Sequence, residues 1–421
     1  MQKIIFLILM ASGFMSYAQV PAIEAENDSI STIEEKKEHP LATGYYPLGF
    51  FNIDFKTLIK YNQYEGLRLG LGGITNDKFS EKFRIGGYAA YGFKDKDTKY
   101  SLGGGARLNK EKKVWVNLYY TNDIKEIGAF DFLTDARVYN IFEPRLINIV
   151  QFYKYRNWYA NITSELSPKL LSEFRIEHSN VDNIESYYFI NHGKAFHEYQ
   201  LSEASLSVRF SPKTNFITTE DGTREYYDGF PKISAQITQG IKGIAESDFS
   251  YTKFGLKLDY YIKRTDLSST SIVFEGLLAN GDIPLTHLFH SYPNQPNKPN
   301  WTGRFSVAGL RSFETMHFGE FFSDKVMTMH IKHSLRRFKL TEKWKPELVF
   351  LTRHAWGDMS HQNQHFGVPF NTLDQLYNET GVELNKILFG FGLSFAYRYG
   401  FYHMPALEDN ISFKFTFYLK I

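Results

Sequence analysis

Ile387–Phe401 reads ILFGFGLSFAYRYGF, and it alternates without a break. Ile387, Phe389, Phe391, Leu393, Phe395, Tyr397, Tyr399 and Phe401 are apolar or aromatic. The intervening positions include Gly390, Gly392, Ser394, Ala396, Arg398 and Gly400. Period two puts successive side chains on opposite faces of a strand. The run covers 15 residues, whereas a globular strand usually has about five or six. That length suits a tilted barrel strand that continues past a bilayer. Small residues on the second face relieve crowding inside a closed barrel.

The pattern recurs from Glu65 onward. Leu67, Leu69 and Leu71 oppose Arg68, Gly70 and Gly72, and the C-terminal ISFKFTFYLKI of 411–421 alternates throughout. Turn signals such as KDKDT (94–98), NKEKK (109–113) and DLSST (266–270) separate the runs. Strands are expected near 65–74, 82–93, 98–109, 113–122, 157–166, 170–180, 197–210, 232–243, 249–264, 269–279, 321–334, 346–358, 377–386, 387–402 and 410–421. Bacterial single-chain barrels have an even strand number, so one more is expected within 123–156, at 145–153. The fold class is thus all-β: a transmembrane antiparallel β-barrel of about 16 strands, with 14 as the fallback.

Residues 1–18 read as a secretory signal peptide: a lysine, an apolar run from Ile4 to Met10, then Ser16-Tyr17-Ala18 before the cut. The run is shorter than the ~20 residues of a membrane anchor. Residues 19–44 are polar and read as a flexible periplasmic leader, and 45–421 as the barrel. No other apolar stretch approaches the ~18 residues of a spanning helix. The chain has no cysteine, which excludes a disulfide scaffold and thiolate metal sites. With 48 basic and 46 acidic residues it carries a charge of only +2, which predicts no nucleic-acid partner. Aromatics make up 17% of the chain, yet its mean hydropathy is negative. That combination fits strands that alternate between lipid and a watery lumen; an aromatic-rich soluble sandwich is the competing reading.

The stretches EGLLANGDIPLTHLFH (275–290) and GLRSFETMHFGEFFSDK (309–325) carry family content. They resemble the superfamily of the barrel-assembly protein BamA and the two-partner secretion transporters. Those barrels have a glycine–acid–proline signature at one strand end, and a long loop that folds back into the lumen with a Val-Arg-Gly-aromatic motif. Leu310, Arg311, Ser312 and Phe313 match that motif here, with serine in place of glycine. YNQYEGLRLGLGG (61–73), FETMHFGEFFSDK (313–325) and the terminal strands are more specifically similar to a Bacteroidota outer-membrane family of unknown function. Its full-length members place a carboxypeptidase-regulatory-like domain before the barrel. The resemblance implies a BamA-like barrel with an inward-folded long loop, in the outer membrane.

An arginine carried into a lumen needs acceptors, and its planar fork suits a carboxylate. Arg311 is therefore expected to latch the loop, with Phe313 beside it. The candidate acids are Glu314, Glu320, Asp324, Glu347 and Glu383; a solvated loop arginine is the alternative. Gly281, Asp282 and Pro284 read as a strand-ending turn. Arg68, Arg209, Lys257, Asp259, Arg398 and Lys414 are expected to face the lumen. The cations among them, with Lys332, form either an anion-selective wall or pairs with Asp259, Glu173 and Glu177 across strands. His287 with His290 and His330 with His333 are spaced poorly for a metal, so no metal or other cofactor is expected. His354, Asp358 and Ser360 are the only grouping that suggests hydrolysis. The function expected is a non-enzymatic structural or assembly-linked envelope component with an occluded lumen. The alternatives are a passive channel and a barrel hydrolase. The expected partners are outer-membrane lipid, including lipopolysaccharide, and other envelope proteins.

Overall fold

The computed structural model describes residues 44–137, 144–184, 186–218, 224–227, 229–296, 306–341, 344–388 and 390–417. The alternating segments form one antiparallel meander. Strand β1 is interrupted, comprising Phe51–Asp54 and Ile59–Asn62. It is followed by β2 (Gly66–Thr75), β3 (Phe83–Gly92), β4 (Thr98–Asn109), β5 (Val114–Glu126), β6 (Phe152–Ser167), β7 (Leu170–Asn183) and β8 (Glu198–Phe210). The second half is β9 (Lys232–Gly240), β10 (Tyr251–Lys263), β11 (Ser269–Gly281), β12 (Lys325–Ser334), β13 (Glu347–Asp358), β14 (Tyr377–Leu388), β15 (Phe391–Gly400) and β16 (Ile411–Phe417). Each strand pairs with the next in sequence. The result is an antiparallel β-barrel wall.

Two expectations are corrected. The remaining strand does not lie at 145–153, where Pro144–Ile147 forms a short 3-10 helix and β6 begins only at Phe152. It is β1, in the aromatic segment before Asn62. A 3-10 turn at Phe55–Thr57 breaks its alternation, which hid it in the sequence. Both halves still pair with one edge of β2, Phe51 opposite Thr75 and Ile59 opposite Leu69. The Ile387–Phe401 run is also not one strand. It crosses a hairpin at Gly390, whose φ is +84°, with Leu388 opposite Phe391. Inward positions are odd in β14 (Glu379, Glu383) and even in β15 (Ser394, Arg398). Apolar residues continue through the turn, so nothing in the run marked it.

The turn in β1 leans on glycines. The Gly70 amide donates to the Leu58 carbonyl at 3.0 Å. A Cβ at Gly70 would meet Thr57 O at 2.7 Å and Ala90 Cβ at 2.6 Å, while one at Gly276 would meet nothing nearer than 3.8 Å. Gly70→Val is therefore expected to lower barrel stability by about 1–3 kcal/mol through overpacking. Gly276→Ala should be near neutral, and thermal melts in detergent compare the two.

The two faces differ in kind. Outward rows are apolar and exposed, among them Leu69, Ile85, Leu102, Leu118, Ile176, Leu206, Phe254, Leu278, Phe350 and Phe413. Inward rows are polar and buried, among them Arg68, Asn117, Ser207, Lys257, Glu379 and Lys414. A soluble sheet would bury the first set and expose the second. So large a continuous apolar surface marks contact with lipid or protein.

The short connections after β6, β10 and β14 leave one end of the barrel, and the two longest, after β5 and β11, leave the other. Described parts of the two loops at this long-loop end, 127–137 with 144–151 and 282–296 with 306–324, fold against the inward faces of the strands. Among the described residues no ladder joins β1 to β16. Instead Tyr45–Leu48 pairs with Phe51–Asp54. Ser306–Val307, from the second loop, lies parallel to Lys414–Phe415 of β16, and the Ala308 amide donates to the Phe415 carbonyl at 2.8 Å.

Candidate functional site

The block FETMHFGEFF alternates locally, and Phe313–His317 forms a short strand beside Pro293–Gln295 inside the barrel. Its centre is Glu314, fully buried. Lys414 of β16 reaches it at 2.9 Å and the Arg353 guanidinium of β13 stands 4.0 Å away. The Ser312 hydroxyl donates at 2.7 Å, the Asn294 amide at 2.7 Å and the Gly309 backbone N–H at 3.1 Å. Burial alone would raise the carboxyl pKa, but Lys414 and Arg353 outweigh it and hold it below the ordinary carboxylate value. Glu314 is thus an anion set among donors.

The wall around it is cross-linked. Arg353, itself fully buried, pairs with Glu379 of β14 and lies 3.8 Å from Glu383. Glu379 accepts from the Thr315 backbone N–H at 2.7 Å and the Thr315 hydroxyl at 2.6 Å. Lys332 pairs with Glu383 at 3.0 Å. Lys414 Nζ also donates to the Glu314 carbonyl at 3.0 Å and to the Asn294 carbonyl. Phe313 packs edge-on to Tyr377, with ring centroids 5.4 Å apart. Farther along the loop, Glu320 takes both terminal nitrogens of Arg398 on β15, at 2.7 and 3.1 Å.

The first loop locks the second from the opposite wall. Arg145 grips Glu126 of β5 with two bonds of 2.5 and 2.6 Å, and its Nε donates to the Pro293 carbonyl at 2.9 Å. The Asn148 amide donates to Asn294 at 2.7 Å and to the Val307 carbonyl at 2.9 Å. Nothing local in the sequence marks Arg145 or Asn148 for this role, because partners such as Pro293 and Asn294 lie far off in the chain.

Arg311 sits elsewhere. Its side chain is 46% exposed and pairs with Asp259 at 3.2 Å, not with any of the five acids considered for it. The second loop thus meets the wall in both senses: Arg311 pairs with a wall carboxylate, while Glu314 and Glu320 pair with the wall cations Lys414 and Arg398. Of those acids, Glu314, Glu320 and Glu383 gather at the loop–wall contact. Glu347 pairs with Lys386 at 2.6 Å, and Asp324 accepts from the Ser360 N–H at 2.8 Å. The signal for Glu314 and Glu320 was a pair of acids in an aromatic-rich block, matched by cations at inward positions of later strands.

Gly281 ends β11 at φ +112°, the Asp282 N–H donates to Ser250 O at 3.0 Å, and Pro284 precedes a 3-10 turn. Arg68 holds Asp123 with two bonds of 2.7 and 2.8 Å. Lys257 pairs with Asp135 of the first loop and is 3.9 Å from Asp259. Arg209 is buried. Glu173 takes Arg175 at 2.8 Å. Inward cations thus meet two kinds of acid: Lys257, Arg398 and Lys414 pair with loop carboxylates, and Arg68, Lys332 and Arg353 with carboxylates of other strands. His330 faces inward against Phe313, with ring centroids 4.9 Å apart, while His333 bonds Thr270 at 3.0 Å. The hydrolytic grouping is not assembled: His354 bonds Asn378 and Thr352, and Ser360 accepts from Lys325.

At the long-loop end, His365 Nδ1 bonds the Tyr187 hydroxyl at 2.8 Å, and that hydroxyl accepts the Leu285 N–H at 2.8 Å. Burial first, and His361 second, push the His365 pKa from 6.5 down to about 4. Between those values the opened chain binds a proton that the folded one does not, so stability rises with pH there. Acidification from pH 6.5 toward 4 is expected to destabilise the loop cap by at most about 3 kcal/mol. His365→Phe should flatten that part of the profile in melts taken across the window.

BamA from Haemophilus ducreyi lacking POTRA domains 1–3 superposes with a TM-score of 0.51 at 13% identity, over 87% of this chain and 70% of that one. CdiB from Acinetobacter baumannii gives 0.42 at 11% identity over 84% and 57%. CdiB from Escherichia coli gives 0.45 at 9% over 88% and 62%. At such identities the likeness is one of fold. No curated protein matches the sequence. The C-terminal domain of a family of unknown function, DUF5686, matches residues 45–277, more than half of the chain, and the chain belongs to that family.

Proposed function

We propose that this protein is a non-enzymatic outer-membrane barrel, a structural or assembly-linked component of the envelope whose lumen is occluded by its own loops. The observation that carries the reading is the seating of Glu314 between Lys414 and Arg353. A loop that places a buried carboxylate against two wall cations is fixed inside the barrel, because separating them would strand charge in a poorly solvated interior. The polar inner face and apolar outer face support a lipid surround. The partners in this reading are outer-membrane lipid, including lipopolysaccharide, at the outer wall and other envelope proteins at the loop end. A signal peptide ending near Ala18 would deliver the chain there.

Planar-bilayer recording tests the reading against a passive channel. The wild-type protein should be nearly silent. A large, steady conductance from the unmodified chain would favour the channel and discard the occluded lumen.

A further inference from the structure

We infer that the arms of the hairpin joining β12 to β13, residues 335–341 and 344–346, dock on anionic phospholipid of the leaflet that meets the short-turn end. The inference rests on the outer-membrane reading above. The β11–β12 ladder ends at Ser269–Ser334, and β14 contributes nothing to β13 before Glu347. Beyond those pairs the hairpin's two arms bond each other across the described residues. The Leu335 N–H donates to Leu348 O at 2.8 Å, Phe338 to Pro346 O at 3.2 Å and Leu340 to Trp344 O at 3.0 Å. It overhangs the rim between the short turns at Arg264–Ser268 and Gly390.

Its composition is unlike that of a solvated turn. Leu335–Lys345 reads LRRFKLTEKWK, five cations against one acid. Phe338 is 42% exposed, Leu340 60% and Trp344 45%. Exposed rings and leucine among arginines and lysines suit the membrane interface, where rings sit at headgroup depth and cations meet phosphates. The segment also continues an outward row that ends in Phe350, itself exposed. That continuity, with the charge surplus, favours a lipid surface over a soluble protein partner.

The chain has no cysteine, so a single reporter can be placed in the full-length protein. Leu340→Cys on the hairpin and Lys242→Cys on a loop at the opposite end would each carry an environment-sensitive fluorophore. Both would be reconstituted in phosphatidylethanolamine nanodiscs with and without phosphatidylglycerol. The hairpin reporter should shift to the blue and resist iodide quenching when phosphatidylglycerol is present, whereas the Lys242 reporter should not. Adding Arg336→Gln, Arg337→Gln and Lys345→Gln should weaken that protection, by about fivefold per lost cation. Equal quenching at both sites would overturn the inference and mark the hairpin as a surface for a soluble partner. Protection that ignores phosphatidylglycerol would overturn the anionic headgroup. Failure of the chain to enter nanodiscs would instead strike the outer-membrane reading itself.

Discussion

Glu314→Ala should turn a silent barrel into a conducting one. The substitution leaves Lys414 and Arg353 facing a cavity where a carboxylate stood, and the donors of Ser312, Asn294 and Gly309 lose their acceptor. Breaking a buried pair by removing one partner costs about 3–5 kcal/mol. The loop seat should therefore loosen, and steady bilayer conductance should appear together with a lower melting temperature. Glu314→Gln keeps an acceptor for the neutral donors and should act more mildly. Unchanged current and melting in Glu314→Ala would show that the loop is held by something other than this seat.

Arg353→Met should be the most damaging single change in the wall. It leaves Glu379, Glu383 and Glu314 within one buried pocket, with the Arg353 countercharge gone and the Lys332–Glu383 and Lys414–Glu314 pairs remaining. A loss of about 3–5 kcal/mol is expected, and misassembly is a natural outcome at that size. Adding Glu379→Gln should recover part of it, since the surviving amide needs no counter-charge. The recovery in a double-mutant cycle should be about 0.5–3 kcal/mol. If Arg353→Met melts like the parent protein, the network carries little of the barrel's stability.

Much of this wall was legible from alternation alone. Period two fixes which residues share a face, and the contrast between Leu67, Leu69 and Leu71 on one side and Arg68 on the other survives in the barrel. What failed was punctuation. β1 was obscured because Phe55–Thr57 leaves the strand for one turn, and the hairpin at Gly390 was missed because apolar residues run through it. The site was less legible for a different reason. Arg311 was conspicuous by motif, yet the buried acceptor of this loop is Glu314, three residues on. The deciding partners, Arg353 and Lys414, come from strands distant in sequence, and a sequence does not say which inward cation a loop acid will meet.

Lys414 carries a last consequence. Its ammonium finds its acceptors in the Glu314 carboxylate, the Glu314 carbonyl and the Asn294 carbonyl, all supplied by the second loop. Arg398 likewise leans on Glu320. Excising that loop would not simply uncork a finished cylinder; it would strip countercharge from the last two staves at once. The insert behaves as a keystone, and a deletion made to widen the bore would test whether the arch still stands.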